Sequence, residues 1–108
     1  MDELEFQRHA DEALNSLYRK LAAASDDYEF EADFNAGALT VEFEEPPAKF
    51  VVSPNSPVRQ VWLSALSRSY KLDWDPVENT FVLANSGQTL SELLGEVIGK
   101  QLGEEVSL

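Results

Sequence analysis

The chain has 108 residues, 20 of them acidic and 8 basic, with one histidine and no cysteine. That length suits one domain, and a 44% hydrophobic content is enough for a core. The formal net charge of −12 excludes nucleic acid as a partner and disfavours anionic membranes, and the lack of cysteine excludes disulfides, thiolate nucleophiles and sulfur-ligated metals.

The charge is uneven. Residues 1–45 carry 13 acids and 3 bases, and residues 46–108 carry 7 acids and 5 bases. The densest stretch runs from Asp26 to Asp33, with five carboxylates in eight residues. Like charges gathered this closely repel, so something cationic is expected to offset them.

Asp2 and Glu5 form a helix-start signal of the capping-box type. Phe6, Ala10, Ala13, Leu14, Leu17 and Leu21 follow at helical spacing, so residues 3–23 are expected to form an amphipathic helix. The period then becomes two. Tyr28, Phe30, Ala32 and Phe34 alternate with Glu29, Glu31 and Asp33, the pattern of a half-buried strand with an acidic outer face. Asn35-Ala36-Gly37 is a turn signal, and Leu39, Val41 and Phe43 mark a second strand that ends at Pro46-Pro47. Further strands are expected at 49–53, 59–64, 70–74 and 80–84, with a loop over 53–57. Thr89 and Glu92 make a second capping box, opening a helix with Leu90, Leu93, Leu94, Val97, Ile98 and Leu102 on one side and a stop at Gly103.

Short connections between strands imply an antiparallel meander. Two amphipathic helices need an apolar surface to cover. The fold class expected is therefore α+β, a two-layer sandwich of order α-β(about 6)-α with both helices on one sheet face. One domain over 1–108 is expected. No apolar run is as long as a membrane span, and Met1 to Phe6 lacks the pattern of a signal peptide.

The string Pro57-Val58-Arg59-Gln60-Val61-Trp62-Leu63-Ser64 resembles the strand motif of the frataxin family, whose bacterial members are the CyaY-type proteins. The resemblance runs almost end to end. It includes Glu5-Phe6 with Ala10-Asp11, Gly37 to Val41, Tyr70 with Asp73, Ser86-Gly87 with Leu93-Leu94, and Gln101 with Gly103-Glu104. It implies an iron-binding accessory protein of iron–sulfur cluster assembly that contacts the cysteine desulfurase and its scaffold protein. The chain departs from the family pattern at Ser53-Pro54-Asn55, at Arg68-Ser69 in place of a glycine-rich turn, and at Phe81, where a second Trp is common. It departs again at Tyr18 to Ser25, where the family's first helix is usually acidic. The expected iron affinity is therefore weaker or shifted toward the first strand.

Carboxylate oxygen suits hard cations, and Fe²⁺ accepts carboxylates and water readily. On a strand, Glu29, Glu31 and Asp33 stand roughly 7 Å apart, too far for one ion to take all three. Several weak, water-rich sites for Fe²⁺ or Fe³⁺ are expected rather than one cage. Asp26 and Asp27 precede the strand, and Asp11 and Glu12 add negative potential from the helix. The resemblance carries iron binding onto Glu29, Glu31 and Asp33, and around them onto Asp11, Glu12, Asp26 and Asp27. No EF-hand loop is present, since Tyr28 and Phe30 stand between the acids. The alternative is an acidic module that docks on a basic protein surface with no metal role.

In the fourth strand, Val61 and Leu63 are expected to face the helices, so Gln60 and Trp62 point to the open face. A Trp there suits an interface anchor. The resemblance makes both residues part of the scaffold-binding surface. Trp74 is expected at the core or its rim with Tyr70 and Leu72, and His9 is expected at the surface or rim beside the helix stripe, with an auxiliary iron ligand as the alternative. Asp73 and Asp75 lack the cleft a catalytic carboxylate pair needs, so no enzyme is expected. A ferroxidase role stays open at this point. A monomer in the bacterial cytoplasm is expected, or in the mitochondrial matrix for a processed eukaryotic chain.

Overall fold

The computed structural model describes every residue from Met1 to Leu108. Helix α1 covers Glu3–Ala24, and its apolar stripe places Phe6, Ala10, Leu14, Leu17 and Leu21 in the core. The Asp2 carboxylate accepts the Glu5 N–H at 2.8 Å, satisfying a donor that has no partner within the helix. Six strands follow: β1 Glu31–Asn35, β2 Ala38–Glu44, β3 Pro47–Asn55, β4 Gln60–Ala65, β5 Arg68–Asp75 and β6 Thr80–Leu83. They form one antiparallel sheet in chain order. Helix α2 covers Leu90–Leu102.

Alternation decides which sheet face is covered. Leu39, Val41, Phe43, Phe50, Val52, Val61, Leu63, Ala65, Leu72 and Phe81 are buried with the apolar sides of both helices. Their neighbours Thr40, Glu42, Glu44 and Ser64 face away from that core. The 21 buried side chains are all apolar, and no polar side chain is buried among them. Each large one stabilises the fold by about 1.5–3 kcal/mol relative to exposure. Phe6 meets Phe81 edge-on at 5.9 Å between centroids, and Trp74 meets Phe81 at 5.3 Å, tying α1 to β5 and β6. The α+β sandwich with both helices on one face is therefore the observed architecture.

Both ends of α2 are capped. The Thr89 N–H donates to Glu92 Oε1 at 2.9 Å, and the Glu92 N–H donates to Thr89 Oγ1 at 3.2 Å. The Thr89 backbone N–H foremost, and then the Thr89 side chain, hold the Glu92 carboxyl below its usual range. At the other end Gly103 takes φ 71° and donates to Gly99 O at 2.8 Å. The C-terminal segment then folds back over α2. A Cβ at Gly99 would lie 2.8 Å from Glu104 O, and one at Gly95 would lie 3.2 Å from Val106 O. The missing side chains let Val106 and Leu108 pack against the core.

Several expected boundaries shift. The first strand begins at Glu31, not Tyr28. The N–H groups of Tyr28 and Phe30 are taken by Ala24 O and Tyr28 O, at 3.0 Å each, so these residues close the helix end instead of joining the ladder. Phe30 still turns inward and is buried. Strand β3 is longer than 49–53, because Pro54 and Asn55 pair with Val61 and Gln60. The expected loop shrinks to one 3-10 turn, Ser56–Val58. The β4–β5 turn is Leu66-Ser67, both with positive φ (52° and 62°), so Arg68 and Ser69 belong to β5 rather than to the turn.

Candidate functional site

The hairpin of β1 and β2 assembles an acidic surface that neither strand holds alone. Glu31 pairs with Glu42, and Asp33 pairs with Thr40. All four point to the open face, and with Ser25 and Ala32 from the helix side they line a shallow depression of about 430 Å³ at the β1 edge. Glu42 joins the candidate site only through the register. The short Ala36-Gly37 turn, with φ 53° and 80°, fixes that register, so counting outward from the turn in the sequence reaches the same pair.

The other candidate carboxylates lie elsewhere. Glu29 stands in the connector between α1 and β1, exposed with Asp26 and Asp27, and not on the strand face with Glu31 and Asp33. The connector is held by Asp27 N–H to Ala24 O at 2.9 Å. Asp11 and Glu12 lie on the exposed side of α1. They border a different groove, which Arg8, Arg19 and Lys20 also line. Those are the three bases of residues 1–45, so potential from the helix is largely neutralised. No three His, Asp or Glu side chains come close enough to share one ion. The arrangement suits carboxylates binding singly or in pairs, with water completing the shell.

Little positive charge offsets the acids. Glu42 has Lys49 Nζ at 4.0 Å, and Glu96 has Lys100 Nζ at 4.0 Å; both pairs are exposed. Such pairs are worth about 0–1 kcal/mol. Glu31, Asp33, Asp26, Asp27 and Glu29 have no basic partner within ion-pair distance.

A second surface lies across the same open face, on β4 and β5. Register places Gln60 opposite Asp73 and Trp62 opposite Lys71. Trp62 Nε1–H donates to Gln60 Oε1 at 2.9 Å, and Gln60 Nε2–H donates to Asp73 Oδ1 at 3.1 Å. Lys71 Nζ sits 5.0 Å from the Trp62 ring centroid, a cation–π distance. Gln60 and Trp62 do face outward, and each is half-buried by this cluster. Lys71 and Asp73 complete it. Their cross-strand position depends on the β4–β5 turn, which lies at Leu66-Ser67, two residues before the Arg68-Ser69 position that the family resemblance implies. His9 stacks on Trp74, with centroids 3.8 Å apart and planes 17° off parallel, at the rim of the core.

Residues 1–104 match the family model of the frataxin-like domain. The chain is 32% identical over 97 residues to the iron-sulfur cluster assembly protein CyaY of Azotobacter vinelandii, covering 88% of this chain and 87% of that one. Among solved structures it is similar to frataxin from Psychromonas ingrahamii, of the CyaY protein family. That match has a TM-score of 0.77 and 28% identity over 99% of this chain and 97% of the other. Yeast frataxin matches in fold, with a TM-score of 0.70 and 23% identity over 92% of this chain and 81% of its own. No helix is long and apolar enough to cross a membrane.

Proposed function

The chain belongs to the frataxin family, and from that premise we propose that it is an iron-binding accessory protein of iron–sulfur cluster assembly. Its relative from Azotobacter vinelandii is named for that process. Iron is the cargo. It binds weakly and at several positions, as Fe²⁺ or Fe³⁺, centred on Glu31, Asp33 and Glu42, with Asp26, Asp27 and Glu29 beside them. The supporting observation is the acidic depression between β1 and β2, which three carboxylates line without converging on one point and which has only Lys49 near. Asp11 and Glu12 contribute less, since three basic side chains share their groove. The role is an accessory one, without a catalytic step of its own.

Docking onto a cysteine desulfurase and its scaffold protein uses the same acidic end and the Gln60–Trp62 cluster. Trp62 presents a half-buried ring whose indole N–H is already satisfied, so a partner gains apolar area without stranding a donor.

An Fe²⁺ titration followed by residue-resolved NMR tests the iron assignment. Broadening is expected first at residues 26–33 and at Glu42. Broadening confined to α2, or none at all, would reject it and favour a metal-free acidic docking module. Recovery of the desulfurase by wild type and by Trp62→Ala tests the second surface, with at least a severalfold loss expected for the variant.

A further inference from the structure

An open six-stranded meander has two edges, and only one of them is covered. At β6, the Leu83 N–H donates to Gln88 O at 2.8 Å and Val82 bridges Thr89, so the following segment closes that edge. At the opposite end, β1 pairs only with β2. No backbone bond reaches Glu31–Asn35 from any loop or helix. Every second residue of such a strand turns its N–H and C=O outward without a protein partner.

The flanks of this edge differ sharply. Glu31, Asp33 and Asn35 are exposed on the open face. Ala32 and Phe34 point to the helix side and are only half-buried, with the Tyr18 ring 6.1 Å from Phe34. The apolar layer that is complete at β3 and β4 is therefore unfinished at β1. An added strand would supply both missing parts, hydrogen bonds along the edge and apolar cover over Phe34.

We propose that β1 is a strand-addition site, and that its occupant is an extended partner segment of five or six residues with basic and apolar side chains alternating. The basic side chains lie over Glu31 and Asp33, and the apolar ones continue the row of Ala32 and Phe34. A second copy of this chain is disfavoured by charge. Two β1 strands side by side would set Glu31 and Asp33 against the same acids, and directly opposed like charges are destabilising. The acidic flank thus disfavours self-pairing while admitting a basic strand. This rests on the acidic end being a docking surface, and it adds that main-chain pairing, not side-chain charge alone, holds the partner.

The test uses the capped peptide Lys-Val-Lys-Val-Lys-Val and the same sequence with every backbone amide N-methylated. Both carry the same charges and side chains, but only the first donates along an edge. The unmodified peptide is expected to bind about tenfold more tightly or better, and to slow amide exchange within residues 31–35. A Glu-Val-Glu-Val-Glu-Val peptide is expected not to bind wild type, and to bind Glu31→Lys/Asp33→Lys protein instead. Equal binding of the first two peptides, binding without slowed exchange at β1, or no binding at all would overturn strand addition. The Fe²⁺ titration on the same protein reads the iron assignment separately, so the two fail independently.

Discussion

Replacing Glu31 by Gln and Asp33 by Asn removes two charges from β1 with little change of shape. The two carboxylates are two residues apart on one strand, about 7 Å by strand rise. Glu31 also faces Glu42 across the β1–β2 register, where directly opposed side chains approach to about 5–6 Å. In water each such pair repels by about 0.6–0.8 kcal/mol. Screening at physiological salt, with a Debye length of about 8 Å, roughly halves that. Two pairs then cost about 0.6 kcal/mol, and Lys49, 4.0 Å from Glu42, offsets a little of it. The double variant is therefore expected to be more stable by about 0.5 kcal/mol, raising Tm by about 2–4 °C. A thermal scan by circular dichroism reads this directly. In 1 M NaCl the Debye length falls to about 3 Å and the gain is expected to vanish. A lower Tm, or a gain that persists in 1 M salt, would refute the electrostatic account of this surface. The same variant is expected to bind Fe²⁺ more weakly by calorimetry, so here stability and ligand binding move in opposite directions.

Three further outcomes are expected. Leu66→Asn with Ser67→Gly suits the positive φ of both turn residues, and should stabilise the protein by about 1 kcal/mol in urea denaturation; a loss would mean that the turn has another conformation. Gly99→Ala should destabilise by about 1–2 kcal/mol despite the better helix propensity of Ala, because its Cβ would meet Glu104 O at 2.8 Å; faster amide exchange across residues 104–108 would locate the damage. Glu92→Ala should be less stable than wild type at neutral pH. Since the Glu92 carboxyl is held below 4.5, chiefly by the Thr89 N–H, its contribution is full above that value and is lost as pH falls through the depressed one. Urea midpoints measured from pH 7 down to pH 2 should converge, and a gap that widens in acid would contradict the capping account.

The helices were legible because their signals are local. A cap residue and an apolar stripe at 3.6 spacing, with a terminal glycine in α2, all lie within one element, and α1 and α2 match those signals within a residue or two. The start of β1 was not legible. Alternation continues back to Tyr28, and burial of Phe30 obeys it, but ladder pairing depends on which N–H groups remain free. The end of α1 had already used that of Tyr28, and Tyr28 O that of Phe30. Side-chain period and backbone pairing are separate properties, and the sequence pattern reports only the first.

The candidate site divides the same way. Composition alone established that the chain is acidic in its first half, and strand period alone placed Glu31 and Asp33 on an outer face. Which other groups meet them was decided by cross-strand register, which brings Glu42 to Glu31 and sets Lys71 and Asp73 beside Trp62 and Gln60. Asp11 and Glu12, near in sequence to the other acids, lie beside Arg8, Arg19 and Lys20 instead. Charge and periodicity belong to single segments and can be read along the chain. Proximity between segments depends on turn conformation, register and the end of the sheet left open; apart from the short hairpin at Ala36-Gly37, whose pairing can be counted out from its turn, these exist only once the chain has folded.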